Sequence, residues 1–172
     1  MTTLYIIGGI IVFLGFTAFF GAPYVPSRNA EIKRAFTKLY PLGKDDLLVD
    51  FGCGDGKVLR AATEFGAKSV GIELHPVLFL IARLRLRKNK RATVKFGDMF
   101  RMKLPKKTTV VYVFGVERDG ERIFSHLEAE AERLGRDLTL ISYATPAEKH
   151  RPDREFEAYY LYNIKTRAKR IN

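Results

Sequence analysis

Apolar and polar positions alternate in blocks along the chain, and the first apolar block is the longest. From Leu4 to Ala22 there is no charged residue, a run long enough to span a bilayer as a helix. Tyr5 and Tyr24 stand near its ends, where interfacial aromatics belong. A secretory signal would need a basic start and a shorter apolar core, and a transit peptide would be amphipathic and Arg-rich. Neither fits, because no Lys or Arg precedes Arg28. A helix apolar on every face also does not suit the surface of a small domain. The expectation is one transmembrane helix, with residues 1–24 as anchor and 25–172 as the domain that follows. Arg28, Lys33, Arg34 and Lys38 come just after the span. The preference of basic loops for the inner side then gives a single-pass membrane protein with its domain in the cytoplasm.

Beyond a short, stiff Pro23–Ser27 connection, the pattern predicts alternating helices and strands. Ser27 can cap a helix that Pro41 and Gly43 stop near Tyr40. A strand over Leu47–Asp50 leads to a helix from about Lys57 to Phe65, closed by Gly66. A second strand covers Ser69–Leu74, and Pro76 opens a helix apolar at Val77, Leu80, Ile81 and Leu84. Ala92–Phe96 is a third strand. The largely apolar run Thr108–Phe114 has the character of a central parallel strand. A helix over Asp119–Leu134 stops at Gly135, and Leu138–Tyr143 is a fifth strand. The Tyr-rich run Glu157–Ile164 closes the series as an antiparallel edge strand. This alternation predicts an α/β fold with a mostly parallel sheet and helices on both faces. At 172 residues the chain is long enough to bury one such core.

Charge narrows the partners. A formal net charge of +11 and a pI near 9.8 call for an acidic surface, nucleic acid or anionic lipid. The basic run Arg83–Arg91 has no interleaved aromatics. That weakens a nucleic-acid reading; a solvated helix end and a headgroup-binding face remain, and the expected membrane anchor favours the headgroup face, as it does for Lys165, Arg167, Lys169 and Arg170. Cys53 is the sole cysteine and the three histidines are scattered, so no disulfide framework and no metal site is expected.

The candidate chemistry begins where the first strand ends. Asp50-Phe51-Gly52-Cys53-Gly54-Asp55-Gly56 is a glycine loop between strand and helix. A dinucleotide site wants Gly at the first, third and sixth places. The sixth place from Gly52 is Lys57, so the close-packing glycine is missing. Asp50 and Asp55 would repel a pyrophosphate and suit a ligand with a positive head. S-adenosylmethionine, with an ammonium and a sulfonium and no phosphate, is such a ligand. Glu73, followed by Leu74, stands at the spacing of an acid that binds ribose hydroxyls. Asp98, followed by Met99, ends the third strand and could accept a bond from an adenine amino group.

Together these residues resemble the class I S-adenosylmethionine-dependent methyltransferases, whose Rossmann-like fold the resemblance implies. Among them, the chain resembles the small membrane-anchored protein-lysine methyltransferases, whose mitochondrial members act on the adenine nucleotide translocase and the ATP synthase c-subunit. The shared pattern is an apolar anchor, Pro23-Tyr24-Val25-Pro26-Ser27, the glycine loop, and Gly71-Ile72-Glu73-Leu74-His75-Pro76. The resemblance implies S-adenosylmethionine as cofactor, held by Asp50, Gly52, Cys53, Gly54, Asp55, Gly56, Glu73, Leu74, Asp98 and Met99. It implies N-methylation of a lysine on a membrane-associated protein, with Tyr24 and Glu117 as candidates to orient the amine. Methyltransferases for lipids or quinones, for RNA, and a non-catalytic cofactor-binding module are the rivals. Against base methylation, no nucleophilic Cys stands near strand four or five. Nor does an Asn/Asp-Pro-Pro-aromatic tetrapeptide follow strand four, where Val113-Phe114-Gly115-Val116 stands instead.

Overall fold

The computed structural model describes residues 2–9, 29–116 and 119–166. Eleven elements follow residue 28: α1 (Asn29–Lys38), β1 (Leu47–Phe51), α2 (Lys57–Glu64), β2 (Lys68–Glu73), α3 (Pro76–Leu86), β3 (Ala92–Phe96), β4 (Val110–Phe114), α4 (Gly120–Leu134), β5 (Leu138–Tyr143), β6 (Arg154–Phe156) and β7 (Tyr159–Ile164). The strands form one sheet in the order β3-β2-β1-β4-β5-β7-β6. β1 to β5 run parallel, and β7 and β6 are antiparallel additions. The strand order reverses between β1 and β4, and ligands of such sheets bind beyond the strand ends at that reversal.

Period-two alternation divides the core between the two faces. Leu48, Val110, Tyr112 and Ile141 pack with Ile32, Ala35 and Phe36 of α1 and with Val58 and Leu59 of α2. Val49, Phe51, Val111, Val113 and Leu140 pack with Ile123, Phe124 and Leu127 of α4. Local chemistry sets the ends. Pro76 starts α3, and His75 Nδ1 accepts the Leu78 amide at 3.5 Å. Gly135, at φ 64°, stops α4, and the Arg136 amide turns back to the Ala131 carbonyl at 3.2 Å.

Two expectations are corrected. Among the described residues no helix is long and apolar enough to cross a membrane. Of the Leu4–Ala22 run only the part within residues 2–9 is described, as helix. The transmembrane helix, and the single-pass membrane location drawn from it, are therefore overturned; residues 10–22 lie outside the described residues. The second correction concerns β7. It is antiparallel as expected, but it is not the edge. β6 folds back on it through Glu157 and Ala158 and takes the edge position. Arg154-Glu155-Phe156 is short and charged, which protects an edge and hides a strand from sequence periodicity.

Candidate functional site

The glycine loop leaves β1 at the point where the strand order reverses. The Gly52 amide, at 2.9 Å, and the Cys53 amide, at 3.2 Å, both donate to the Ile72 carbonyl, which ties the loop to β2. Gly52 takes φ 72°, and a side chain there would meet nothing within 4 Å. The space above this turn is thus open to a ligand. Gly56, at φ 80°, supplies the close packing that its missing sixth-place counterpart would have given. A Cβ there would come within 2.8 Å of Leu86 Cδ1 on α3.

Three carboxylates converge on the loop. Glu73 is 6% exposed. Its Oε2 accepts the Gly54 amide at 2.8 Å and its Oε1 accepts the His75 amide at 2.7 Å. Each oxygen keeps a lone pair for a further donor. Asp50 is 2% exposed at the end of β1. Burial, followed by the nearby charges of Glu73 and Asp55, pushes its carboxyl well above the usual carboxylate range. Such a group welcomes a cation. Asp55 is differently placed. It pairs with Arg85 of α3, and its Oδ1 accepts the Lys57 amide at 3.3 Å, with Lys57 Nζ 3.8 Å from Oδ2. The expected headgroup for Arg83–Arg91 is thus partly replaced by internal partners: Arg85 serves Asp55, and Arg91 donates to the Gly66 carbonyl at 2.8 Å.

The remaining candidates rim the same edge of the sheet. Leu74 is 54% exposed just past β2. Asp98 follows β3, and its Oδ1 accepts the Phe100 amide at 2.9 Å, so it closes a turn. Met99 is half-buried against the α4-side core. Cys53 is buried beside Gly71, and burial, reinforced by Asp50 and Glu73, pushes its thiol up. Its role is to be small. Tyr24 and Glu117 lie outside the described residues.

Sequence reasoning missed three features. Arg85 was lost in a basic run. His126 of α4 sits between the rings of Phe51 and Phe100, 6.0 Å from each, and burial lowers its pKa, so it stays a neutral wedge. The third is an aromatic group at the ends of β4 and β5, Phe114 and Tyr143. Its one signal was a strand that stays apolar to its last residue.

A reversing parallel sheet with an antiparallel strand beyond β5, an open glycine turn and buried acids on β1 and β2 define a class I methyltransferase. The chain belongs to the family of the ANTKMT methyltransferase domain, whose model matches residues 50–154. It is 31% identical over 113 residues to a protein-lysine N-methyltransferase of Saccharolobus islandicus (strain REY15A), covering 63% of this chain and 69% of that one. It is 31% identical over 134 residues to the ATP synthase c-subunit lysine N-methyltransferase of Homo sapiens, covering 76% of this chain and 55% of that one. The chain thus spans little more than half the length of that human relative. Among solved structures it overlays an RNA methyltransferase from Salinibacter ruber, in complex with S-adenosyl-L-homocysteine, with a TM-score of 0.69 and 25% identity. That overlay covers 82% of this chain and 94% of that one. The methyl donor is S-adenosylmethionine, and the residues present fit it: the turn is open, the acids favour a cation, and Lys57, the cation at the helix start, is turned to Asp55.

Proposed function

We propose that the protein is a protein-lysine N-methyltransferase and that its acceptor belongs to a membrane-associated protein. One observation carries the reading. The acceptor end of the sheet, where β4 stops, presents Phe114-Gly115-Val116 and not an amide-rich base-binding turn. The names of the relatives from Saccharolobus islandicus and Homo sapiens support a lysine acceptor.

In this reading Glu73 holds the ribose hydroxyls with its free lone pairs, and Asp50 faces the cationic amino-acid end of the cofactor. Leu74 and Met99 flank the adenine, and Asp98 accepts from its amino group. The loop from Gly52 to Gly56, Cys53 included, supplies close backbone approach. Asp55 acts one step back, by fastening the loop to α3 through Arg85. When bound, S-adenosylmethionine supplies a methyl group on a sulfonium; it is transferred to the acceptor nitrogen, and the S–C bonding pair stays on sulfur as a thioether. The chain's own task is to align the amine and exclude water. The lysine must first shed a proton to solvent, which its own desolvation and the neighbouring sulfonium of the bound cofactor promote.

The runner-up is an RNA acceptor, favoured by the +11 charge and by the Salinibacter ruber neighbour. The test is to incubate the full chain and tritiated S-adenosylmethionine with a native extract separated into membranes and soluble fraction. The products are then hydrolysed to amino acids and nucleosides. Label in methyllysine, concentrated in the membrane protein, is expected. Label in nucleosides without methyllysine overturns the reading.

A further inference from the structure

β4 is buried until it ends. Val110 to Val113 are at most 4% exposed, and Phe114 is 39% exposed. Phe114 is the register partner of Tyr143 on β5, and the two rings meet edge to face with centroids 5.5 Å apart. Tyr143 is in turn the partner of Tyr159 on β7, with ring centroids 4.6 Å apart. Tyr112 backs the group, 6.5 Å from Tyr159, and both are buried. The wall is thus fixed from behind and open at Phe114. On the same side, Tyr143 Oη donates to Glu31 Oε2, in the first turn of α1, at 3.4 Å.

The register ties this group to the cofactor loop. Phe51 of β1 lies beside Val113 of β4, so Gly52 and Phe114 leave their strands at one level, about 5 Å apart as neighbouring strands are. Asp50 is the partner of Tyr112, two residues before Phe114, so all three side chains share one face of the sheet. The open aromatic end therefore stands next to the turn that receives the donor.

We propose that Phe114, Tyr143 and Glu31 form the receiving site for the acceptor lysine, which rests on the lysine reading above. The rings take the apolar stem and attract the charged nitrogen over their faces. The Glu31 carboxylate fixes the nitrogen at the rim. Each methyl group added removes an N–H donor but leaves the ring attraction in place. The carboxylate therefore governs entry of the unmethylated amine, and the rings retain it through later transfers.

The test uses the full chain, saturating S-adenosylmethionine and the protein fraction of the native extract as acceptor. Phe114→Leu and Glu31→Gln should each slow label entering methyllysine by about tenfold, while Phe114→Tyr stays near the parent. Affinity for S-adenosylhomocysteine, by calorimetry, and the melting temperature should not move with any of the three. Full activity of Phe114→Leu and Glu31→Gln overturns the inference and leaves the lysine reading standing. Equal damage from Leu and Tyr at 114, or cofactor affinity falling in step with rate, also overturns it. If the parent chain labels no lysine, both readings fall.

Discussion

Gly54 and Glu73 are joined across the C-terminal ends of β1 and β2: the loop amide donates to the carboxylate at 2.8 Å, although the residues are 19 positions apart. The acid expected to hold a ribose is also the clasp that gives the loop its shape. Its second oxygen holds the His75 amide, just before α3. One side chain thus links donor binding to the entry of two helices.

Removing that clasp should therefore cost stability as well as binding. Glu73→Ala leaves the buried Gly54 amide and the half-buried His75 amide without their charged acceptor and should destabilise the ligand-free chain by about 3 kcal/mol. Glu73→Gln keeps one acceptor oxygen and should lose about half as much. Denaturant unfolding measures the first quantity, and calorimetry with S-adenosylhomocysteine should show weaker binding for both. An unchanged midpoint for Glu73→Ala would refute the clasp.

Asp50 should make the empty protein less stable as pH rises. Burial raises its pKa in the folded state above the ordinary value, so the folded chain holds a proton that the unfolded chain releases. That contribution is complete below about pH 4, the unfolded value, and is lost as pH climbs through the raised one. Asp50→Asn should melt higher than the parent at neutral pH without ligand, yet gain less from added S-adenosylmethionine. Melting curves with and without the cofactor, at pH 5 and pH 8, check both halves.

Gly71 and Cys53 should prove structural. A Cβ at Gly71 would come within 2.4 Å of Cys53 Sγ and 2.6 Å of Leu59 Cδ1. Gly71→Ala should cost about 1–3 kcal/mol through overpacking and slow methyl transfer. Cys53→Ala should stay active. The raised pKa keeps the thiol protonated at neutral pH, so iodoacetamide should modify it only on unfolding. Rapid alkylation of the folded chain would contradict this.

Glu130 provides the acid limb. Burial opposes its charge, but hydrogen bonds from Arg133 and from the Leu104 amide, the latter at 2.6 Å, outweigh burial and lower its pKa. Its contribution is present above the unfolded value, about pH 4.3, and fades as pH falls through the lower folded one. Glu130→Gln should lose about 1–2 kcal/mol at neutral pH and show a flatter acid limb in urea titrations.

Much of this was written locally. The helix stops at Gly66 and Gly135, the start at Pro76 and the glycine loop follow from backbone permissions that individual residues carry. The run of strands follows from apolar blocks bounded by turn residues, so a mostly parallel sheet was legible, and so were Asp50, Glu73 and Asp98, each at or just past a strand end; the order of the strands came only with the assembled sheet. The tertiary structure decided which partner each group meets. Asp55 and Arg85 are 30 residues apart, and no local pattern says that a carboxylate beside a glycine will choose a guanidinium from the next helix. The β6 edge was invisible because three residues are too few for periodicity. The unbroken apolar run near the start promised a membrane helix through composition alone, and among the described residues no helix of that length forms. The row from Gly52 through Phe114 and Tyr143 to Tyr159 exists only because four strands distant in sequence share a register. Register is a property of the assembled sheet.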